Sequence, residues 1–333
     1  MPAQDDEPRL VDGHGRPITS IRISVNRECN LDCFYCHNEG MPPDRRTMTA
    51  GEVEELARLA ADLGVRKVKL TGGEPLERRD VVEIVRRISP LFEDVSMTTN
   101  ATGLADLAGD LREAGLDRVN VSLHSVDPST YRRISGADLL ARAMEGVDAA
   151  LAAGLRPVKL NMVLLRGIND HQVPQMLAYA SAKGAVLQVI ELEMERERVS
   201  SRIYEEHHAS LADLQAWLRS EGRSNGRNPL HNRERYVVDH LPDGSQLASP
   251  AEVELVMPMH NTGFCANCTR IRLTAGGFIK GCLFDHECVE DLVTPMRAGA
   301  GRDELTELLM RVVSWRRPYW TDDPVERISE QEE

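Results

Sequence analysis

The sequence predicts an α/β fold: a partial, TIM-like (β/α)6 barrel followed by a C-terminal extension. Three observations predict it. Six short apolar strands alternate with amphipathic helices between residues 21 and 192, the pattern of a parallel sheet with right-handed crossovers. Polar motifs fall where those strands end, which is where a β/α barrel keeps its chemistry. Past residue 193 the alternation stops and the chain becomes charge-rich. An open doubly wound sheet is the alternative that the same alternation allows.

In chain order, residues 1–20 are a polar lead-in punctuated by Pro and Gly. The first strand, 21–25, reads Ile21-Arg22-Ile23-Ser24-Val25, which puts Arg22 and Ser24 on the face opposite the isoleucines. Either face of a barrel strand can be the buried one, and the plain reading of Arg22 is a solvated rim charge. A loop with Cys29, Cys33 and Cys36 follows. Thr49 and Glu52 then form a capping box ahead of Val53, Leu56, Ala57, Ala60 and Leu63 at helical spacing. The second strand, 67–70, runs into Thr71-Gly72-Gly73-Glu74-Pro75. Helices at about 79–88, 104–114, 138–153 and 172–183 separate strands at 95–99, 118–123, 157–164 and 186–192. Thr98-Thr99-Asn100 closes the third strand and Ser122-Leu123-His124 the fourth. The Glu/Arg-rich stretch 193–235 reads as a solvated transition with no chemistry of its own. The expected domains are a lead-in (1–20), a barrel (21–240) and a C-terminal domain (241–333).

Composition narrows the function. At 333 residues the chain exceeds what one core usually supports. No apolar run approaches the roughly 20 residues of a membrane span, and the N-terminus lacks the basic and apolar regions of a signal peptide, so a cytoplasmic location is expected. A net charge of −13 argues against nucleic-acid binding. An anionic small substrate would need a few Lys and Arg gathered in a pocket. Six of the seven cysteines fall into two tight groups, which fits metal ligation in a reducing compartment better than a disulfide framework.

The first group has the spacing CxxxCxxC. Three thiolates in one short loop point to an iron-sulfur cluster, and the lack of a nearby fourth cysteine leaves one iron open for another ligand. A structural zinc site competes with this reading. So does haem attachment through Cys33-Phe34-Tyr35-Cys36-His37, although that chemistry needs export. The second group, Cys265-Ala266-Asn267-Cys268, is followed after thirteen residues by Cys282. Between them, Arg270-Ile271-Arg272-Leu273 and the residues from Phe278 read as a hairpin turned by Ala275-Gly276-Gly277. Zinc stays open here too, with Cys288 or His286 as the fourth ligand, and Cys288 otherwise reads as a packed thiol. Arg270 and Arg272, on one face of the strand, suit a phosphate or a purine better than a zinc knuckle.

With both groups in view, the first loop resembles that of radical S-adenosylmethionine (SAM) enzymes. From about Arg16 to Phe284 the chain resembles the MoaA family, the radical SAM GTP 3',8-cyclases of molybdenum cofactor biosynthesis. The form Phe34-Tyr35-Cys36-His37 and the segment from Pro157 to Asp170 look like those of archaeal members. The resemblance implies a radical SAM barrel with a cluster-binding extension. Cys29, Cys33 and Cys36 would hold one [4Fe-4S] cluster, and Cys265, Cys268 and Cys282 a second whose open iron binds guanine. Tyr35, Gly73, Ser122 and Glu193 would contact SAM. Arg22, Lys69, Thr98, Lys159, Arg270 and Arg272 would hold GTP, with Arg22, Arg270 and Arg272 serving catalysis. The implied reaction cleaves SAM to a 5'-deoxyadenosyl radical, removes the hydrogen at the ribose 3' carbon and joins that carbon to guanine carbon 8. The implied partners are an electron donor and a MoaC-type cyclic pyranopterin monophosphate synthase, with a homodimer as the assembly to test. Departures are Lys69 for Arg, Glu193 for Met, Thr269 for Asn, and an end at Glu333 without the Gly-Gly tail of bacterial members.

Overall fold

The computed structural model describes residues 10–42 and 44–321, so the chain end without Gly-Gly lies outside the described residues. Six parallel strands lie side by side in chain order: β1 (Ser20–Ser24), β2 (Lys67–Thr71), β3 (Asp94–Thr99), β4 (Arg118–Ser122), β5 (Lys159–Leu164) and β6 (Val186–Glu191). This order decides between the two expected architectures. A doubly wound sheet reverses its strand order at a switch point, whereas these strands wind one way, as in a partial barrel.

Helices α1 (Ala50–Asp62), α2 (Val81–Ile88), α3 (Leu104–Glu113), α4 (Pro128–Ser135), α5 (Leu140–Ala152) and α6 (Val173–Lys183) join the strands. The expected capping box opens α1: Thr49 Oγ1 accepts from the Glu52 amide at 3.2 Å, and Glu52 accepts from the Thr49 amide at 2.7 Å. Helix α4 is not predicted by periodicity, because eight residues are too few to show it. Its signals are local: Asp127 caps it by accepting from the Thr130 amide at 2.8 Å, Pro128 starts it, and Gly136 ends it at φ +74°.

Strand alternation sorts the barrel's two faces. Ile21, Ile23, Val68, Leu70, Val119 and Val121 are buried in the apolar core, while Arg22, Lys69, Thr98, Asn120 and Lys159 turn to the opposite, concave face and line a cavity. Arg22 is thus an interior charge rather than a rim charge. Burying each large apolar side chain contributes about 1.5–3 kcal/mol, which favours this register because a one-residue slip would exchange the two faces.

The remaining chain closes on both edges of the six strands. After α7 (Arg202–His207) and α8 (Ala212–Glu221), strands β7 (Arg223–Asn228), β8 (Arg233–His240) and β9 (Gln246–Val256) form an antiparallel ribbon, and β9 pairs parallel with β6. β7 reads as a loop in sequence because Arg-Ser-Asn-Gly-Arg-Asn has no apolar alternation; it is an exposed edge held by main-chain bonds. At the other edge, the short helix α9 (Thr262–Ala266) leads into β10 (Arg270–Leu273), which pairs parallel with β1. The expected hairpin follows as β11 (Phe278–Lys280), then β12 (Val289–Asp291), α10 (Val293–Arg297) and α11 (Arg302–Trp315). Among the described residues no helix is long and apolar enough to cross a membrane.

Candidate active site

The ends of β1 to β4 meet above the barrel. The Gly-Gly-Glu-Pro loop is pinned to the cysteine loop, since Gly73 N donates to Asn26 O (3.1 Å) and Glu74 N to Glu28 O (2.7 Å). Glu74 is buried and accepts from Thr99 Oγ1 and the Asn100 amide, both at 2.6 Å; burial nevertheless pushes its carboxyl up to about 7. The cysteine loop also rests on α4, through Asp32 N to Ser135 O at 2.9 Å. The chain's own packing requires a glycine at 73. A Cβ there would sit 2.2 Å from Glu28 O and 2.4 Å from Arg27 O. Gly73→Ala is therefore expected to cost about 3 kcal/mol of stability, read as a lowered denaturation midpoint of the cluster-free protein; an unchanged midpoint would refute the clash.

All seven cysteines are free. Burial, reinforced by its neighbours Cys36 and Cys29, pushes the Cys33 thiol up to about 12, and burial also raises Cys29 and Cys36. Such thiols need a bound cation to become the thiolates that ligate. The donor set fits a group that spreads its cysteines over several irons. Tyr35 Oη lies 2.5 Å from Nε2 of the buried His124, whose Nδ1 accepts from the Val163 amide at 3.1 Å. This links the loop's aromatic residue to the end of β4.

The second triad is built on a buried charge cluster absent from the sequence reading. Arg16 NH1 donates to Cys265 O at 2.9 Å, and its Nε pairs with Asp12 Oδ2 at 2.8 Å. Arg316, 2 % exposed, pairs with the same Asp12 and donates to Cys268 O and, at 3.1 Å, to Gly281 O beside Cys282. Two guanidiniums thus hold the backbone at all three cysteines. Burial opposes ionisation of Cys268, but Arg316, Arg270 and Arg16 draw its thiol below the ordinary value. Neither candidate fourth ligand lines the cavity: Cys288 is buried and donates to Val312 O at 3.3 Å, and His286 turns to Glu195 at 3.1 Å.

Both triads open onto one cavity of about 860 Å³, and all sixteen predicted site residues line it, Ser122 and Glu193 included. β10, β1 and β2 place Arg272, Arg22 and Lys69 in one row. Arg22 and Arg272 share Glu39, at 2.9 and 2.6 Å, and Thr71 Oγ1 donates to the same carboxylate at 3.0 Å. Burial works against that charge, yet the two guanidiniums hold the Glu39 carboxyl far below its usual range. Glu39 escapes sequence reading because a left-handed turn aims it: Asn38, Glu39 and Gly40 have φ of +47°, +53° and +60°. On β5, Lys159 pairs with the fully buried Glu254, which also holds Arg233 at 3.0 Å. Lys69 Nζ donates to Asn120 Oδ1 at 2.6 Å, and neither it nor Arg270 has an ion-pair partner among the described residues. Thr98 Oγ1 and Arg22 Nε are buried without hydrogen-bond partners among the described residues. The stretch 228–235, expected to carry no chemistry, contributes Asn228, His231, Arg233 and Arg235 to the wall.

A one-way β/α barrel with a three-cysteine loop at the C-terminal mouth of its strands defines the radical SAM class. Residues 23–180 match the Radical SAM superfamily, and residues 185–321 match Molybdenum Cofactor Synthesis C. The chain belongs to the family of the proteins named "Probable GTP 3',8-cyclase". It is 45 % identical to the one from Pyrococcus abyssi over 94 % of this chain and 100 % of that protein. It is 44 % identical to the one from Thermococcus kodakarensis over 93 % of this chain and 99 % of that one. Among solved structures, Streptococcus suis SuiB bound to the precursor peptide SuiA shares the fold, with a TM-score of 0.61 and 16 % identity over 95 % of this chain and 68 % of SuiB.

Proposed function

We propose that the chain is a radical SAM GTP 3',8-cyclase that makes 3',8-cyclo-7,8-dihydro-GTP, the first step of molybdenum cofactor biosynthesis. The observation that carries the reading is the single cavity between two cysteine triads, lined by Lys69 and Arg270, which have no carboxylate partner among the described residues, in a chain of net charge −13. A pocket of this sign concentrates a polyanion that the rest of the surface repels.

Cys29, Cys33 and Cys36 would hold the cluster that binds SAM, and Cys265, Cys268 and Cys282 the cluster that faces the guanine. When bound, the first cluster with SAM supplies reductive cleavage and hydrogen abstraction at the ribose. The protein's part is to bind, orient and shield. Lys69, Lys159, Arg270, Arg272 and Arg22 offer charge-assisted hydrogen bonds to phosphate oxygens, and Thr98 Oγ1 offers one more unpaired polar atom. Glu39 and Glu254 keep Arg22, Arg272 and Lys159 in place before the nucleotide arrives. Tyr35, Gly73, Ser122 and Glu193 border the SAM side. Barrel walls on one side and the C-terminal strands on the other limit access of water and stray hydrogen donors to the reacting carbon.

The reading includes an electron donor, a MoaC-type synthase that receives the product, a homodimer and a cytoplasmic setting. It also divides the chain into lead-in, barrel and C-terminal domain; the pairing of β7 and β8 with β9 favours drawing the second boundary before residue 223. Anaerobically reconstituted protein should be brown, carry two four-iron clusters, and release 5'-deoxyadenosine from SAM only when GTP is present. Colourless, zinc-loaded protein, or turnover with a peptide and not with GTP, would overturn it.

A further inference from the structure

One wall of the cavity comes from the segment between β7 and β8, to which the family resemblance assigns no role. Its centre is held in an unusual conformation: His231 and Asn232 have φ of +65° and +51°, a left-handed state that non-glycine residues keep only where their surroundings enforce it. Here the surroundings are the second cysteine loop. His231 N donates to Asn267 O at 3.0 Å, and its ring stacks on Phe264, next to Cys265, with centroids 3.8 Å apart and planes 24° from parallel. The imidazole borders the cavity, and neither ring nitrogen bonds a protein group among the described residues.

The electrostatic setting says what the ring can bind. Burial first, then the guanidiniums of Arg270, Arg233, Arg272 and Arg22, hold His231 well below its ordinary pKa, so it is neutral and offers one N–H donor. Arg22 and Arg272 divide one carboxylate, Glu39, between them, Arg233 shares Glu254 with Lys159, and Arg270 has no carboxylate partner among the described residues. Among the side chains named here, the five cations Arg22, Arg233, Arg270, Arg272 and Lys159 stand against the two carboxylates Glu39 and Glu254. A donor in a positive field favours an anion, and the stack on Phe264 already occupies one ring face that a base would need.

Resting on the nucleotide reading above, we propose that His231 is a nucleotide-contacting residue whose imidazole hydrogen-bonds the phosphate chain of the substrate. The test measures GTP and guanosine dissociation constants by anaerobic calorimetry, on protein with both clusters in place. His231→Phe keeps an aromatic ring against Phe264 and removes both nitrogens; it should weaken GTP about tenfold or more, as expected for one hydrogen bond to a charged group, and leave guanosine unchanged. His231→Gln, which restores an N–H donor, should recover most of the GTP affinity. Unchanged GTP affinity in His231→Phe, or equal losses for GTP and guanosine, would overturn the phosphate contact. Wild-type protein that binds neither would instead overturn the nucleotide reading, and with it this one.

Discussion

Arg316→Ala should yield a protein that holds one [4Fe-4S] cluster in place of two. Arg316 is 2 % exposed and bonds Asp12, Cys268 O and Gly281 O at once. Removing it strips donors from two carbonyls and leaves Arg16 as the one guanidinium paired with Asp12 among the described residues. Breaking such a buried network costs about 3–5 kcal/mol. The loss falls locally, because Cys268 and Cys282 lose the main-chain anchor that sets their spacing. Nothing in the first triad depends on Arg316: that loop rests on β1, α4 and the Gly-Gly-Glu-Pro turn. Iron and sulfide should fall by half, and SAM should still perturb the spectrum of the remaining reduced cluster. Arg316→Lys, which keeps the charge without the fork, should retain a partly occupied second cluster. Full occupancy of both clusters in Arg316→Ala would show that the cysteine loop holds its shape unaided.

This clamp marks where sequence reading ends. The strands, the two triads and the strand-end motifs are legible because each is written within a few residues: period-2 alternation for Ile21 to Val25, fixed cysteine spacing, a glycine pair after β2. Lys69, Thr98 and Lys159 enter through resemblance, and alternation explains why the barrel turns all three inward. Asp12 and Arg316 are 304 positions apart and meet only because the segments that carry them pack against the same loop. No local period encodes that. Glu39 and His231 are missed for a different reason. Each is aimed by positive φ at residues other than glycine, a state that tertiary contacts impose and that composition does not announce. The short helix α4 lies between these cases, since its Asp127-Pro128 start and Gly136 stop are visible to a reader who looks for caps rather than periods.

Replacing Arg270 and Arg272 together with alanine should abolish cyclised product while leaving both clusters intact. Arg270 makes no ion pair among the described residues, and Arg272 bonds Glu39 at 2.6 Å. Strand β10 is held to β1 by main-chain pairing of Arg270 with Ser20 and Arg272 with Arg22, which alanine preserves. Each guanidinium offers a charge-assisted bond to the nucleotide of about 1.5–3 kcal/mol. Losing both should weaken GTP binding by roughly a hundredfold to ten-thousandfold, beyond practical saturation. Glu39 then pairs with Arg22 alone and adds negative charge to a pocket meant for an anion, so the Arg272 share of the loss should exceed that of its own bond to the nucleotide. Arg270→Lys separates charge from geometry: it keeps the positive field and gives up the bidentate fork, and should fall between wild type and Arg270→Ala. Iron content and SAM binding equal to wild type, with GTP affinity lost, is the expected pattern. Clusters lost along with GTP would make the two arginines supports of the second cysteine loop, and would leave Lys69, Lys159 and Arg22 as the cations that define the nucleotide site.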